Sequence, residues 1–202
     1  MSKKKQSNTT GDALREMEAS GDRVADWASR NGTTILAVAV GVLILAAGAG
    51  FYVQHAATAR DDAANALALT SGRYRLAMGA DLTAGSIVEP ANFELAAETR
   101  SQFAQEFAEL AQAHAGTAAG ALAWLESGNL QAELGQIQEA AESFEAARTA
   151  AKGLALEAIA ATRLAGLAED RGDSTAAAEA YELAADVKAY PLRGTALAEA
   201  AK

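Results

Sequence analysis

The longest apolar run in the chain extends from Thr33 to Val53 and contains no charged residue. As an α-helix its 21 residues span about 31 Å, which matches the hydrocarbon thickness of a bilayer. Trp27 precedes the run, and Phe51 and Tyr52 lie near its end, where interfacial aromatic residues flank membrane helices. The pattern predicts a transmembrane helix over residues 33–53.

Basic residues are concentrated before this span. Residues 1–32 hold six of them, whereas Arg60 is the one basic residue in the 18 positions after Val53. Because Lys and Arg favour the cytoplasmic flank of a membrane helix, we expect a cytoplasmic arm at 1–32 and an exported domain at 54–202. In a Gram-negative bacterium, the chain would be a single-pass inner-membrane protein with a periplasmic domain.

A cleavable signal peptide is the alternative interpretation of the apolar run. Residues 57–59 (Ala-Thr-Ala) have the small-x-small pattern of a cleavage site. However, the arm of about 32 residues and the long apolar stretch both exceed the usual dimensions of a signal peptide. The lengths therefore favour a retained membrane anchor.

Helix faces can be traced in both N-terminal segments. In the arm, apolar residues at helical spacing predict a short amphipathic helix that includes Leu14, Met17, Val24 and Trp27. In the span, Ala37, Gly41 and Gly48 share one face, which would let another membrane helix approach closely. The alternative is that an alanine-rich chain places small residues on every face.

After the span, apolar and small residues recur with a period of 37. The large residues at this spacing are Phe107, Phe144 and Tyr181. The other recurrences are Gly116 and Gly153, Gly135 and Gly172, Leu122 and Ile159, and Leu110, Ala147 and Ala184. A helix-turn-helix unit has about this length, so the period predicts stacked helical hairpins.

The apolar phase and the glycines place the elements of these hairpins. Gly135 and Gly172 predict turns that end helices in the left-handed conformation, and Ser174 is the expected N-cap after the second turn. The predicted helices are 56–78, 96–115, 117–133, 137–151, 154–170, 175–188 and a capping helix at 192–201, with a long loop at 79–92. The fold class is all-α, with about three repeats and a C-terminal cap.

Composition supports this class and narrows the function. Half of the residues are hydrophobic, but only 5% are aromatic and only two are proline, as expected for alanine-rich helices. No cysteine is present, which excludes disulfides, thiolate metal sites and a cysteine nucleophile. The net charge of −9 gives no electrostatic footprint for nucleic acid. With His55 and His114 as the only histidines and no catalytic motif, we expect no enzyme, metal or cofactor.

The repeat pattern resembles the tetratricopeptide repeat (TPR). One repeat matches the consensus at Trp124, Gly128, Gly135, Ala140, Phe144 and Ala147. The next matches more loosely, at Leu164, Ala165, Gly172, Ala177, Tyr181 and Ala184. The resemblance implies a domain that binds other proteins and has no small-molecule substrate.

The whole layout resembles the family of ancillary SecYEG translocon subunits (YfgM-like proteins). The similar stretches are DRVADWASRNGTTILAVAVGV and ARDDAANALAL. This resemblance implies an adaptor that binds Sec translocon subunits and a periplasmic chaperone or prolyl isomerase. The alternative is an envelope scaffold of the same architecture for another secretion, division or cell-wall complex.

The TPR resemblance also implies a binding surface, since the inner faces of the first helices of each repeat contact ligands in that family. Carried onto this sequence, the predicted groove consists of Leu122, Leu125, Asn129, Ala132, Glu133, Ile159, Thr162, Gly166, Glu169 and Asp170. It is apolar at one end and acidic at the other, which suits an unfolded or basic, partly apolar segment. The alternative is that several of these residues pack only against neighbouring helices.

The first prediction concerns the aromatic residue of the most regular repeat. Phe144→Ala should lower the free energy of unfolding by about 3–5 kcal/mol, because it empties the space between neighbouring hairpins. Chemical denaturation of the two proteins measures this difference. A loss below about 1 kcal/mol would show that Phe144 is not a core residue.

Overall fold

The computed structural model describes residues 31–79 and 92–202. These residues form seven α-helices and no strand. The helices are α1 (Gly32–Ala77), α2 (Phe93–Ala113), α3 (Ala118–Glu133), α4 (Ile137–Ala150), α5 (Ala155–Asp170), α6 (Ser174–Asp186) and α7 (Arg193–Ala200). The predicted all-α fold is therefore confirmed. The amphipathic helix predicted in the arm and loop residues 80–91 lie outside the described residues.

The chain divides into two units, Met1–His55 and Ala56–Lys202. In the first unit, helix α1 exposes large apolar side chains, including Leu45 and Phe51, which are each 75% exposed. Among the described residues, one helix is long and apolar enough to cross a membrane; its candidate span is Val40–Ala77, with a mean hydropathy of 1.5. Apolar side chains without a protein partner are what a lipid environment would shield.

The second unit is a series of helices in which each packs against the next. Contacts join α2 to α3, α3 to α4, and so on through α7, and α3 also touches α5. The pairs α3–α4 and α5–α6 form hairpins, and α7 packs on α6 after them. This is the architecture of stacked repeats, in which contacts are made between neighbours in sequence.

Three apolar clusters form the core of the second unit. The first joins Leu67 and Tyr74 of α1 to Phe103 and Phe107 of α2 and to residues of α3. The second lies between α3, α4 and α5, around Phe144. The third joins α5, α6 and α7 mainly through alanines: Ala158, Ala161, Ala184, Ala185 and Ala196, with Val187. Helices α3 and α5 therefore each contribute to two clusters.

The glycine turns have the geometry that the repeat predicted. Gly135 and Gly172 both have φ of +73°, the left-handed conformation that glycine adopts without strain. The amide of Gln136 donates to the carbonyl of Gln131, and the amide of Asp173 donates to that of Ala168. Both turns thus close with the same i to i−5 bond, which satisfies a terminal carbonyl of the preceding helix.

Two local predictions were wrong. The N-cap of α6 is Asp173, whose side chain accepts a hydrogen bond from the amide of Ala176, and Ser174 is the first helical residue. The period of 37 also predicts that Tyr181, like Phe144, fills the space between neighbouring hairpins, but Tyr181 is only partly buried, whereas Phe144 is 1% exposed.

The reason for this difference lies on the facing helix. A Cβ built at Gly128 would be 2.6 Å from the Phe144 ring, so the ring occupies the space that a side chain would take. One period later the residue is Ala165, which carries that Cβ and is itself fully buried. The space that Phe144 fills is therefore closed to Tyr181.

The second prediction follows from this contact. Gly128→Ala should lower the free energy of unfolding by about 1–3 kcal/mol, because the buried Phe144 ring cannot move aside without disturbing the second cluster. The matched control is Gly72→Ala on α1, where nothing lies within 4 Å of the added methyl group. The control should unfold at the same denaturant concentration as the parent or a higher one.

Candidate functional site

A pocket opens between helices α3 and α5 in the second unit. Its volume is about 470 Å³, within the range of ligand-binding pockets. Its lining comes from α3, α4, α5 and the segment before α7: Asn129, Ala132, Glu133, Phe144, Ile159, Thr162, Arg163, Gly166, Leu167, Asp170 and Tyr190. We call this set the α3–α5 pocket.

Seven of the ten predicted groove residues line the α3–α5 pocket. They are Asn129, Ala132, Glu133, Ile159, Thr162, Gly166 and Asp170. They come together because residues three, four and seven positions apart share a helix face, and the same positions of α3 and α5 are presented side by side.

The other three predicted residues lie elsewhere. Leu125 is a correction: it is only 5% exposed and packs in the second cluster with Phe144, so it is not available to a ligand. Leu122 is 37% exposed but does not line the pocket. Glu169 is exposed and lies beside Tyr181 of α6, so it faces away from the pocket lining.

Four lining residues were absent from the predicted groove. Arg163 follows Glu126 by one period, and its place on α5 could have been found by the same phase argument. Phe144 was expected to fill the space between hairpins, yet it also reaches the pocket wall, as does its cluster neighbour Leu167. Tyr190 comes from the irregular segment between α6 and α7, which has no periodic signal.

The acidic end of the pocket is built at two helix C-termini. Glu133 is the last residue of α3, and Asp170 is the last residue of α5. Neither helix has a basic residue in its last turn, so the carboxylates add to the partial negative charge of the helix ends. Glu133 accepts a 2.8 Å hydrogen bond from Nε of Arg100 on α2. Because Glu133 is paired with Arg100, Asp170 is the carboxylate at this end of the pocket that can attract a further positive group.

Arg163 gives the pocket a second, positive region. It lies two helical turns before Asp170 on α5, and its charge acts on Glu126 of α3. Desolvation raises the pKa of the Glu126 carboxyl above its usual range, while a hydrogen bond with Asn129 and the charge of Arg163 oppose that rise. The pocket is therefore polarised along the helices rather than uniformly acidic.

The centre of the pocket is apolar, and one of its positions, Gly166, has no side chain. Ile159 is 40% exposed there, and buried Leu167 and Phe144 form part of the wall. Gly166 leaves the main chain of α5 uncovered, with no other heavy atom within 4 Å of the position that a Cβ would take. Such a surface can bind the apolar side chains and main chain of a protein segment.

No cluster of metal-binding side chains is assembled in the part of the chain that the structure describes. No three side chains among histidine, aspartate and glutamate come together there in a way that would hold a metal ion. His55 stacks on Phe51 one helical turn away, and His114 ends α2.

The small residues of the predicted membrane-helix face, Ala37, Gly41 and Gly48, lie on α1. Nothing in the described part of the chain lies within 4 Å of a Cβ built at Gly41 or Gly48. Ala37 is exposed on the same helix. Helix geometry puts the three on one face, which stays a proposed packing surface for another membrane helix.

Comparison with protein families gave one match. The family model described as a tetratricopeptide repeat-like domain matches residues 25–191, which is most of the chain. Comparison with curated proteins gave no match, and comparison with solved structures gave none either.

The third prediction concerns the titration of Glu126. Because its folded-state pKa is raised, the ionised carboxylate opposes folding above the ordinary glutamate pKa, and the protonated form does not. Glu126→Gln should therefore raise the thermal midpoint at pH 7, and the gain should shrink as the pH falls to about 4. Thermal unfolding at the two pH values measures the effect. The control is Glu179→Gln, at an exposed residue of α6. An equal gain at both pH values would contradict the assignment.

Proposed function

Because the chain belongs to the tetratricopeptide repeat-like family, we propose that it is a membrane-anchored adaptor that binds other proteins through the α3–α5 pocket. The observation that carries the proposal is the pocket itself, where exposed apolar and acidic groups from two repeats converge without a partner element of the described chain covering them. The proposed role is binding rather than catalysis.

The proposed membrane anchor would hold the α3–α5 pocket at the membrane surface. Helix α1 is long and apolar enough to cross a membrane, and the basic residues precede its apolar run. We propose that residues 1–32 are cytoplasmic, that 33–53 cross the bacterial inner membrane and that 54–202 are periplasmic. Tethering holds the pocket at an effective concentration set by the tether, so that weak contacts with membrane-associated partners become useful.

For the partner, we propose the protein-export machinery. The support is the resemblance of the membrane region and of the helix after it to ancillary subunits of the Sec translocon. In that role the membrane helix would pack on translocon helices through Ala37, Gly41 and Gly48, and the pocket would hold an emerging chain or a periplasmic chaperone such as a prolyl isomerase.

The fourth prediction tests this proposal by photocrosslinking in cells. A photoreactive residue at Ile159 or Asp170 should form adducts with periplasmic chaperones or emerging chains, and one at Gly41 should form adducts with translocon subunits. Leu125 is unsuitable because it is buried. The control is Glu179 on α6, which is exposed and does not line the pocket, and it should give neither adduct.

The other possible outcomes are informative. Adducts from Ile159 and Asp170 to a different envelope complex, with none from Gly41 to the translocon, would replace the export role by a scaffold for secretion, division or cell-wall synthesis. Equal adducts from Glu179 and Ile159 would refute the pocket as the binding surface.

A further inference from the structure

Gly166 is a glycine that the fold of the domain does not require. Gly128 leaves room for the Phe144 ring, and Gly135 and Gly172 adopt a positive φ. Gly166 lies in the middle of α5, its φ is not positive, and a Cβ there would meet no atom within 4 Å. Because glycine destabilises a helix interior by about 1 kcal/mol relative to alanine, this position lowers the stability of α5 without a packing reason.

The place of Gly166 in the pocket supplies a reason. Thr162 and Asp170 lie one turn before and one turn after it on the same face, and Asn129 holds the equivalent position one period earlier on α3. A glycine among these longer side chains makes a notch over the main chain of α5. Because glycine has no side chain, it lets the main chain of another protein segment come into contact with the main chain of the helix.

The charges on either side of the notch differ. Asp170 ends α5 and forms no ion pair with another described residue, and the partial negative charge of the helix end adds to its own. Arg163 lies on the opposite side of Gly166, towards the N-terminus of the helix. A positively charged group is therefore favoured on the Asp170 side and disfavoured on the Arg163 side.

The apolar surface lies on the Arg163 side of the notch. Ile159, which is 40% exposed, is eleven positions before Asp170 on α5. That separation along a helix is about 16 Å, which an extended chain covers in about five residues. The pocket thus presents an apolar contact, a notch and an anionic contact in this order.

We propose that Gly166 is the crossing point for the main chain of an extended protein segment, in which an apolar residue is followed or preceded, about five positions away, by Lys or Arg. The apolar side chain contacts Ile159 and the pocket wall, and the basic side chain pairs with Asp170. This ligand chemistry rests on the proposed function, because it takes the α3–α5 pocket as the binding surface. Gly166 then contributes to specificity, because its missing side chain leaves room for the main chain of an extended segment to cross α5.

The test separates binding from stability, because the two respond in opposite directions. In the full chain reconstituted in nanodiscs, Gly166→Ala should raise the thermal midpoint by about 3 °C, since the helix is stabilised. The same substitution should weaken binding of the probe by about five-fold or more, since the methyl group fills the notch. Gly72→Ala, on open surface of α1, is the matched control and should raise the midpoint without changing binding.

The probe is a fluorescein-labelled peptide of glycine and serine with repeated leucine and lysine about five positions apart, measured by fluorescence polarisation. A second peptide with glutamate in place of each lysine tests the charge, and Asp170→Asn should remove the preference between the two. Unchanged binding by Gly166→Ala would overturn the crossing point, and equal binding of both peptides by the parent protein would overturn the ligand chemistry.

A parent protein that binds neither peptide would also overturn this ligand chemistry. The adaptor function would then still be decided by the crosslinks from Ile159 and Asp170, which do not depend on the sequence of the ligand. Failure of the inference and failure of the proposed function are therefore distinguishable.

Discussion

The close approach of α3 and α4 is the contact on which the rest of the domain depends. The missing side chain at Gly128 lets the Phe144 ring lie against α3, and alanines at 140 and 147 keep the facing surface of α4 flat. Phe144 in turn joins the cluster that holds α5. Because Phe144 packs against residues of both α3 and α5, the C-terminal carboxylates and apolar side chains of these two helices meet at one pocket. The proposed binding surface is thus a consequence of one ring packed on one glycine.

The core and the proposed binding pocket are built from different kinds of residue in this domain. Most buried apolar residues in the described part of the chain are alanines; the exceptions are Met78, Phe103, Phe107, Leu125, Leu130, Phe144, Leu167 and Val187. Alanine favours the helix and loses no side-chain conformational entropy when it is buried. Its methyl group buries little area, but its small size lets neighbouring helices pack closely. The pocket, in contrast, contains features that oppose helix stability: carboxylates at two helix C-termini and a glycine inside α5. Departures of this kind from local preference are expected at functional surfaces.

The helices and turns could be predicted from the sequence because one period determines them. Gly135 and Gly172 recur at 37 residues and have the same φ, and Leu122 and Ile159 recur with nearly the same exposure. The predicted packing and capping failed where positions one period apart carry different residue types. Ala165 replaces the glycine that admits Phe144, so Tyr181 could not be placed by analogy, and Asp173 competes with Ser174 for the same cap. Tyr190 could not be assigned to the pocket at all, because the segment before α7 follows no period.

Contacts between neighbours in sequence have a consequence for how the domain reaches its folded state. Each helix of the second unit packs mainly on the one before and the one after it, so no pairing has to wait for a distant part of the chain. Closing short loops has a small entropic cost, and chains with such local contacts fold rapidly. A hairpin can therefore form and stack as soon as it leaves a ribosome or a membrane channel, with the preceding hairpin as its template. Folding in this order, from the long apolar helix towards the C-terminus, leaves the apolar face of each helix exposed only until the next helix emerges.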